Sequence, residues 1–270
     1  MKWIRESGIS PSGRGGGQDA LRVWRPWVIE EDDGALLMWH SASDGTTSRI
    51  LVSDRVPGGG WERLGTAIEP GLSGPTDSFA AESPCVVKTP GGYLMVYGLR
   101  FEVTRLHVAT STDARDWISR GILLQRGPDD ASAATDPCIV ITGERWWLFY
   151  TGTGDSKMGR HAAVLAAVSD TGASWDRMGP ILEPDAGEIS VSHACVVDFG
   201  RTFWMFYASE DPGRGEDRIG DIAGRDVVGA TRNGHRARRR RARHPERPHS
   251  VRREPAGWVA SDMVRRPPSG

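Results

Sequence analysis

Two acidic side chains stand at comparable places in two similar stretches of the sequence. Glu82 opens the motif Glu-Ser-Pro, Asp136 opens the motif Asp-Pro, and each motif leads into an apolar segment. Two carboxyls in one enclosed site can have their pKa values pushed apart by burial and by neighbouring charges. One carboxyl then donates a proton while the other stays ionised, so this pair is a candidate for acid–base or nucleophilic chemistry.

Basic residues occupy the same place in two further stretches. Arg25 precedes a proline, and His193 stands in the motif Ser-His-Ala before another apolar run. His193 is either a site residue or a channel-lining histidine with satisfied hydrogen bonds. Arg25 either binds a hydroxyl or carboxylate of a ligand or pairs with Asp136. Glu82, Asp136 and His193 are therefore candidate catalytic residues, and Arg25 is a candidate binding residue.

These residues belong to a repeat that runs through most of the chain. Aligning the copies on Pro26, Pro84, Pro137 and Ala194 gives spacings of 58, 53 and 57 residues. Each copy continues with a short apolar strand, a turn, an aromatic strand and a third strand. A Trp then precedes a Gly by four residues, and a fourth short strand follows, in the pairs Trp61/Gly65, Trp117/Gly121 and Trp175/Gly179. Four strands per repeat without helical periodicity are typical of a β-propeller blade.

The pattern predicts an all-β fold, a five-bladed β-propeller of which residues 1–220 contain four recognisable blades and an N-terminal closing strand. Residues 3–9 resemble the entry to a fourth strand and are predicted to clasp the last blade. The third strand of the fourth blade is predicted to begin at Arg218. Equivalent places on the inner strands are predicted for the four residues Trp27, Cys85, Cys138 and Cys195.

The segment 221–270 does not continue the pattern. It is rich in Arg and Pro and lacks the apolar alternation that a blade needs, so the fifth blade is predicted to be incomplete. The chain has a net charge of -1, but from Arg218 onward it contains 14 Arg against five Asp or Glu. Two accounts of this segment remain open: a native basic tail, or a reading-frame shift near Gly220.

Residues 3–220 resemble the five-bladed propeller glycosidases, the superfamily of arabinanases, levansucrases and invertases. The resemblance implies a funnel on the propeller axis that binds a sugar, with acidic inner-strand residues that hydrolyse or transfer glycosidic bonds. One carboxyl protonates the leaving oxygen, and the other activates water or attacks the anomeric carbon. Asp136 matches the second Asp of the family. Arg25 and His193 stand where acids are expected, which leaves open a non-catalytic carbohydrate-binding or interaction propeller.

Further residues are candidates for contacts with a substrate. Asp19, Asp77 and Asp130 each lie seven residues before the aligned Pro, and they either bind substrate or accept bonds from turn N–H groups. Trp24 and Trp27, near the start of the first inner strand, are candidate platforms for sugar stacking. The Trp residues of the Trp–Gly pairs are expected to pack within or between blades.

The sequence indicates no cofactor and no metal, and the resemblance implies a carbohydrate partner. The three Cys lie one per blade beside β-branched residues, where Cys acts as a small buried hydrophobe. No run approaches the roughly 18 apolar residues of a membrane span, and no secretory signal is seen, so a cytoplasmic location is expected. The Arg-rich residues 236–243 could attract phosphate, but they carry no base-reading element, so nucleic-acid binding is disfavoured.

Overall fold

The structure is a computed structural model that describes residues 17–71, 80–100, 102–154, 161–198 and 203–210, with the backbone of residues 223–225. Within these ranges the regular structure consists of fifteen β-strands and one 3-10 turn, Pro128–Asp130. The predicted all-β class is confirmed. In this part of the chain, no helix has the length and apolar character needed to cross a membrane.

The strands form four consecutive antiparallel sheets. The first contains β1 Arg22–Glu30, β2 Leu36–Ser43, β3 Ser48–Arg55 and β4 Trp61–Ile68. The second contains β5 Ala80–Thr89, β6 Gly92–Arg100, β7 Thr104–Ser111 and β8 Ile118–Ile122. The third contains β9 Ala133–Thr142, β10 Arg145–Thr153, β11 Ala162–Ser169 and β12 Asp176–Leu182. The fourth contains β13 Ser190–Asp198, β14 Phe203–Glu210 and β15 Ala223–Arg225.

Each sheet is a meander in which every strand pairs with the next one along the chain. Single parallel pairs connect the sheets, Ser48 with Ala80 and Thr104 with Ala133. The first strands contact one another in order, β1 with β5, β5 with β9 and β9 with β13. This arrangement brings the starts of the four first strands together.

Apolar side chains from facing sheets form three core clusters, because sheets covered on both faces carry nearly continuous apolar runs. The cluster between the first and second sheets includes Trp39, Val86 and Tyr97. The next includes Cys85, Leu148 and Tyr150, and the last includes Cys138, Phe149 and Tyr207. Trp27 packs against all three clusters.

The predicted equivalence of Trp27, Cys85, Cys138 and Cys195 is confirmed by their register. They pair with Trp39, Val96, Phe149 and Phe206 of the adjacent second strands. Three of them also bond to the next sheet. Trp27 Nε1 donates to the carbonyl of Val86 at 2.8 Å, and the Cys85 and Cys138 sulfurs accept from Ile139 N and Val196 N, each at 3.2 Å.

The fourth strands begin earlier than the sequence predicted. The Trp of each Trp–Gly pair stands at or just before the strand start, and the Gly lies inside the strand at a shift of register. Gly121 and Gly179 have φ values of 97° and 78°, a conformation that suits a residue without Cβ. The Trp–Gly spacing therefore marks a β-bulge within the outer strand.

The last described strand lies within the segment that was assigned to the tail. Its Ala223 pairs with Tyr207, so it belongs to the third strand of the fourth sheet, and the predicted start of that strand at Arg218 lies outside the described residues. The predicted clasp by residues 3–9 and most of the segment 221–270 lie outside the described residues. The structure describes no fifth sheet within its ranges, so the number of blades remains a prediction.

Candidate functional site

Each first strand contains a bulge immediately before or at the aligned Pro or Ala. There, two residues of the first strand face a single residue of the second strand. The first residue of each bulge is left-handed: Arg25, Ser83, Asp136 and His193 have φ values of 54°, 58°, 51° and 56°. In the described residues, Ala114 is the only other non-glycine with positive φ. Such a conformation costs about 1–3 kcal/mol per residue and is concentrated at functional sites.

The four left-handed residues meet in one cluster, here termed the mouth cluster. Arg25 Nη1 donates to Ser83 Oγ at 2.6 Å and lies 2.8 Å from Asp136 Oδ1. Ser83 Oγ donates to the same carboxylate oxygen at 3.0 Å. Arg25 Nη2 contacts His193 Nε2, which lies 3.7 Å from Asp136 Oδ1. Three predicted site residues, Arg25, Asp136 and His193, are therefore in direct contact.

The mouth cluster has a buried layer and an open layer. The Asp136 side chain is 6% exposed, and Ser83 is buried beside it. The side chains of Arg25 and His193 are 29% and 43% exposed. A ligand approaching from solvent therefore meets the side chains of Arg25 and His193 first and finds the carboxylate beneath them.

The hydrogen bonds fix the tautomer of His193. A guanidinium only donates, so His193 Nε2 must accept from Arg25 Nη2, and the ring proton stands on Nδ1. Nδ1 then donates to Ser192 Oγ at 2.6 Å. Partial burial and the facing charge of Arg25 lower the pKa of His193, while Asp136 acts in the opposite direction. The imidazole is therefore neutral near pH 7.

Two side-chain hydroxyls on second strands accept hydrogen bonds from the backbone of left-handed residues. Ser41 Oγ accepts from the backbone N–H of Ser83 at 2.9 Å. Thr151 Oγ1 accepts from the backbone N–H of His193 at 3.0 Å. Ser41 and Thr151 occupy equivalent places, each on the sheet preceding its partner. A buried N–H without an acceptor costs free energy, so these contacts stabilise the bulges across the sheet boundary.

Glu82 lies next to the mouth cluster but not at the equivalent position. The residue in line with Arg25, Asp136 and His193 is Ser83, because the bulge begins one residue after Glu82. Glu82 is half-buried, and no hydrogen bond or ion pair joins its side chain to the other described residues of this region. The prediction that Glu82 occupies the equivalent mouth position is corrected in favour of Ser83.

The repeated aspartates lie in buried ion pairs of their own. Asp19 Oδ1 is 3.1 Å from Arg63 Nη1, and Asp130 Oδ2 is 2.6 Å from Arg177 Nη1. Both carboxylates are at most 2% exposed, and the arginines come from the fourth strands β4 and β12. The candidate role of Asp19 and Asp130 in binding substrate is therefore corrected to a structural role, whereas Asp77 lies outside the described residues.

The two candidate stacking tryptophans differ. Trp27 is half-buried, packs against all three core clusters and donates its indole N–H to a carbonyl, so it has a packing role, and its role as a sugar platform stays a prediction. Trp24 is half-buried, and the Arg22 guanidinium lies 5.0 Å from its ring centroid. Trp24 remains a candidate platform beside the mouth cluster. Trp117 and Trp175 pack against core clusters, as expected.

The described residues offer no grouping of His, Cys, Asp and Glu suited to a metal ion. The sulfurs of Cys85 and Cys138 are buried and accept backbone N–H bonds. Burial raises the pKa of the Cys85 thiol, so this thiol stays protonated. The cysteines therefore fill space between the first strands, as the sequence indicated.

Solved structures with a similar fold are arabinanases and related glycoside hydrolases of the five-bladed propeller type. An exo-1,5-α-L-arabinanase from a bovine ruminal metagenomic library superimposes with a TM-score of 0.61 at 16% identity, covering 78% of each chain. The α-L-arabinanase of Cellvibrio cellulosa gives 0.53 at 16% identity, over 71% of this chain and 70% of that one. Its complex with arabinohexaose gives 0.52. This chain has the fold of these glycosidases.

Sequence comparison adds two relatives from Mycobacterium tuberculosis. The uncharacterized proteins MT1551 and Rv1502 are 29% and 28% identical to this chain over 159 residues. The match covers 55% of this chain and 52% of each relative, so the chain spans about half the length of the curated relatives it matches. No protein-family model matches the sequence.

Sequence reasoning missed Ser83, Ser192 and the two supporting hydroxyls. The alignment on Pro84 and Pro137 already placed Ser83 in line with Asp136, since each directly precedes the proline. Because two-carboxylate chemistry needs an acidic residue, the sequence favoured the neighbouring Glu82 instead. Ser41 and Thr151 had no sequence signal, because their role depends on which strands adjoin in space.

Proposed function

We propose that this chain cleaves or transfers glycosidic bonds at the mouth cluster. The observation that carries the proposal is the convergence of four left-handed first-strand residues around the buried carboxylate of Asp136. Strained backbone of this kind is retained where the side chains it presents are needed. The glycosidase-like fold supports carbohydrate as the ligand class, as does the arabinohexaose held by one structural neighbour.

The available groups suit a mechanism with two carboxyls. Asp136 accepts a hydrogen bond from Ser83 and lies 2.8 Å from Arg25 Nη1, so its carboxylate is held in place at the centre of the cluster. It would activate water or attack the anomeric carbon. Glu82 adjoins the cluster, is half-buried and bonds to no cation among the described residues, so it is the proposed donor of a proton to the leaving oxygen. His193 would bind or exchange protons with a sugar hydroxyl.

Turnover of a panel of chromogenic glycosides and of arabino-oligosaccharides tests this proposal. We expect Asp136→Asn and Glu82→Gln to lower kcat by at least about 10³-fold. Glu82→Gln should change Tm little, whereas Asp136→Asn removes the counterion of Arg25 and should lower Tm, so its kcat is measured well below that Tm. Glu144→Gln, which alters an exposed glutamate of a turn, is the matched control and should retain activity. Full activity in both site variants would refute the two-carboxylate mechanism.

A second candidate function is carbohydrate binding without catalysis. The observation that favours it is the direct contact between Arg25 and Asp136, because Arg25 Nη1 and Ser83 Oγ already occupy the Asp136 Oδ1 atom. In that case calorimetry detects binding of a sugar for which no turnover is measured. Asp136→Asn would then weaken binding, and Glu82→Gln would leave it nearly unchanged.

A further inference from the structure

The open layer of the mouth cluster consists of two nitrogen-bearing side chains. Arg25 uses Nη1 for Ser83 and Asp136 and uses Nη2 for His193. The guanidinium is planar and suited to bind a carboxylate through two parallel hydrogen bonds. Nη2 contacts the other member of the open layer, the neutral and partly exposed imidazole of His193.

The cluster gains a single positive charge when His193 is protonated, and this charge matches a ligand with one negative charge. In the ligand-free cluster Arg25 and Asp136 cancel, and His193 is neutral. A carboxylate that displaces the ring from Arg25 Nη2 would face the lone pair of His193 Nε2, which is repulsive. A proton on Nε2 turns this contact into a charge-assisted hydrogen bond and raises the net charge of the cluster to the value that one carboxylate neutralises.

We propose that the mouth cluster takes a sugar bearing a carboxylate, a uronic acid or its glycoside, and that His193 takes up one proton as the ligand binds. The inference rests on the proposed function and names the substrate class of the same site. Arg25 provides the permanent positive charge, and His193 provides the second donor when protonated. Ser192 Oγ keeps the ring oriented through Nδ1.

A phosphate group fits this cluster less well than a carboxylate. A phosphate monoester carries a charge of about -1.5 to -2 near pH 7, which exceeds the single charge gained when His193 is protonated. Its additional oxygens would also lie near Asp136, whose Oδ1 is only 2.8 Å from Arg25 Nη1. Like charges at such distances raise the free energy of the complex.

The pH dependence follows from the groups that face His193. These charged groups are Asp136 from β9 and Arg25 from β1. A bound carboxylate replaces the guanidinium contact with a negative charge and raises the pKa of the ring. Affinity for a uronate should therefore fall as the pH rises through the pKa of the bound form.

Isothermal titration of paired monosaccharides tests the inference directly. The pairs are D-glucuronate with D-glucose and D-galacturonate with D-galactose, and D-glucose 6-phosphate is the phosphate probe. At about pH 5.5 we expect at least one uronate to bind about 10-fold more tightly than its neutral partner, a difference typical of one charge-assisted contact. Titration in buffers of different ionisation enthalpy should reveal uptake of about one proton per ligand near pH 7.

Two variants distinguish the contributions of His193 and Arg25 to uronate binding. His193→Gln should keep the fold but remove the proton uptake and most of the pH dependence. Arg25→Gln should reduce the uronate preference to within about 3-fold. If the unpaired Asp136 prevents folding of that variant, Arg25→Gln combined with Asp136→Asn removes both charges and gives the same test. Arg145→Gln, at an exposed ion pair, is the control and should bind as the parent does.

The outcomes also distinguish this inference from the proposed function. Equal or tighter binding of neutral sugars, tighter binding of the sugar phosphate, or no proton uptake overturns the inference and leaves carbohydrate binding intact. Failure of all five probes to bind also overturns it. The glycoside turnover panel, which does not depend on these monosaccharides, then decides the proposed function separately.

Discussion

His40 occupies a position of the second strand that holds a tyrosine in the other three sheets. The position faces the bulge of the first strand, and its equivalents are Tyr97, Tyr150 and Tyr207. His40 is 2% exposed, its Nδ1 donates to the carbonyl of Ser41 at 3.3 Å, and its Nε2 faces Ser53 Oγ at 3.5 Å. Burial lowers the pKa of His40 from 6.5 to about 4. The folded protein therefore keeps this ring neutral.

Stability should depend on pH through His40. Between about pH 6.5 and pH 4 the unfolded chain binds a proton that the folded chain rejects, so the free energy of unfolding falls as the pH is lowered. The full contribution is about 3 kcal/mol from the difference between the two pKa values. We expect His40→Tyr, which does not titrate in this range, to flatten the decline in urea-unfolding free energy. An unchanged slope in His40→Tyr, or an equal change in the exposed control His161→Gln, would contradict this assignment.

Three residues of the mouth cluster could be predicted because an unusual residue type stands at the same position of the sequence repeat. Arg25, Asp136 and His193 stood out against the repeat, and the structure brings all three into contact. Ser83 was not recognised because serine is common before proline and its role depends on a left-handed φ. An apolar pattern reports which side chains are buried, but it does not report where the backbone changes conformation.

At the scale of the element, a buried aspartate joins the loop before a first strand to a fourth strand. In the third sheet, Asp130 accepts from Gly127 N at 2.7 Å and from Tyr150 Oη at 3.1 Å, and it pairs with Arg177. Arg177 also donates to the hydroxyl of Tyr150 at 2.6 Å. The network therefore joins the 3-10 turn, β10 and β12. Asp19 with Arg63 is the corresponding pair of the first sheet.

Removal of the buried carboxylate should be costly. Asp130→Asn leaves Arg177 without its counterion in a partly buried place, and we expect a loss of about 2–4 kcal/mol in unfolding free energy. Asp170→Asn breaks the exposed pair with Arg145 and should cost less than about 1 kcal/mol. Chemical denaturation of both variants measures the difference. Equal losses would contradict the structural role assigned to the repeated aspartate.

The sequence predicted the order of the strands better than their ends. The first and second strands of all four sheets follow the apolar repeat, because alternation and aromatic runs reflect burial between sheets. The fourth strands were placed too late, since a Gly that sits at a bulge looks like a boundary in the sequence.

At the scale of the whole molecule, Trp27 contacts three cores at once. It packs against apolar clusters belonging to all four sheets, and its indole N–H bonds to the second sheet. The other three equivalents are cysteines, so one large side chain and three small ones fill the space between the first strands. The sequence indicated this equivalence but not the size complementarity.

Truncation of Trp27 should therefore weaken the whole fold rather than a single sheet. We expect Trp27→Ala to reduce the unfolding free energy by about 3–5 kcal/mol, the range for a large core side chain. Trp24→Ala, which truncates a half-buried tryptophan outside the core clusters, should cost clearly less. Urea unfolding followed by circular dichroism and by tryptophan fluorescence checks both variants. A smaller loss for Trp27→Ala than for Trp24→Ala would contradict the placement of Trp27.

In the proposed function, the four left-handed residues of the first strands form the carbohydrate site. A crystal structure of the chain with its best-binding sugar would show whether they do. We expect sugar oxygens within hydrogen-bond distance of Arg25, His193 and Asp136, with Glu82 facing the glycosidic oxygen. A sugar bound elsewhere, with the contacts among Arg25, Ser83 and Asp136 unchanged and no ligand beside them, would contradict it.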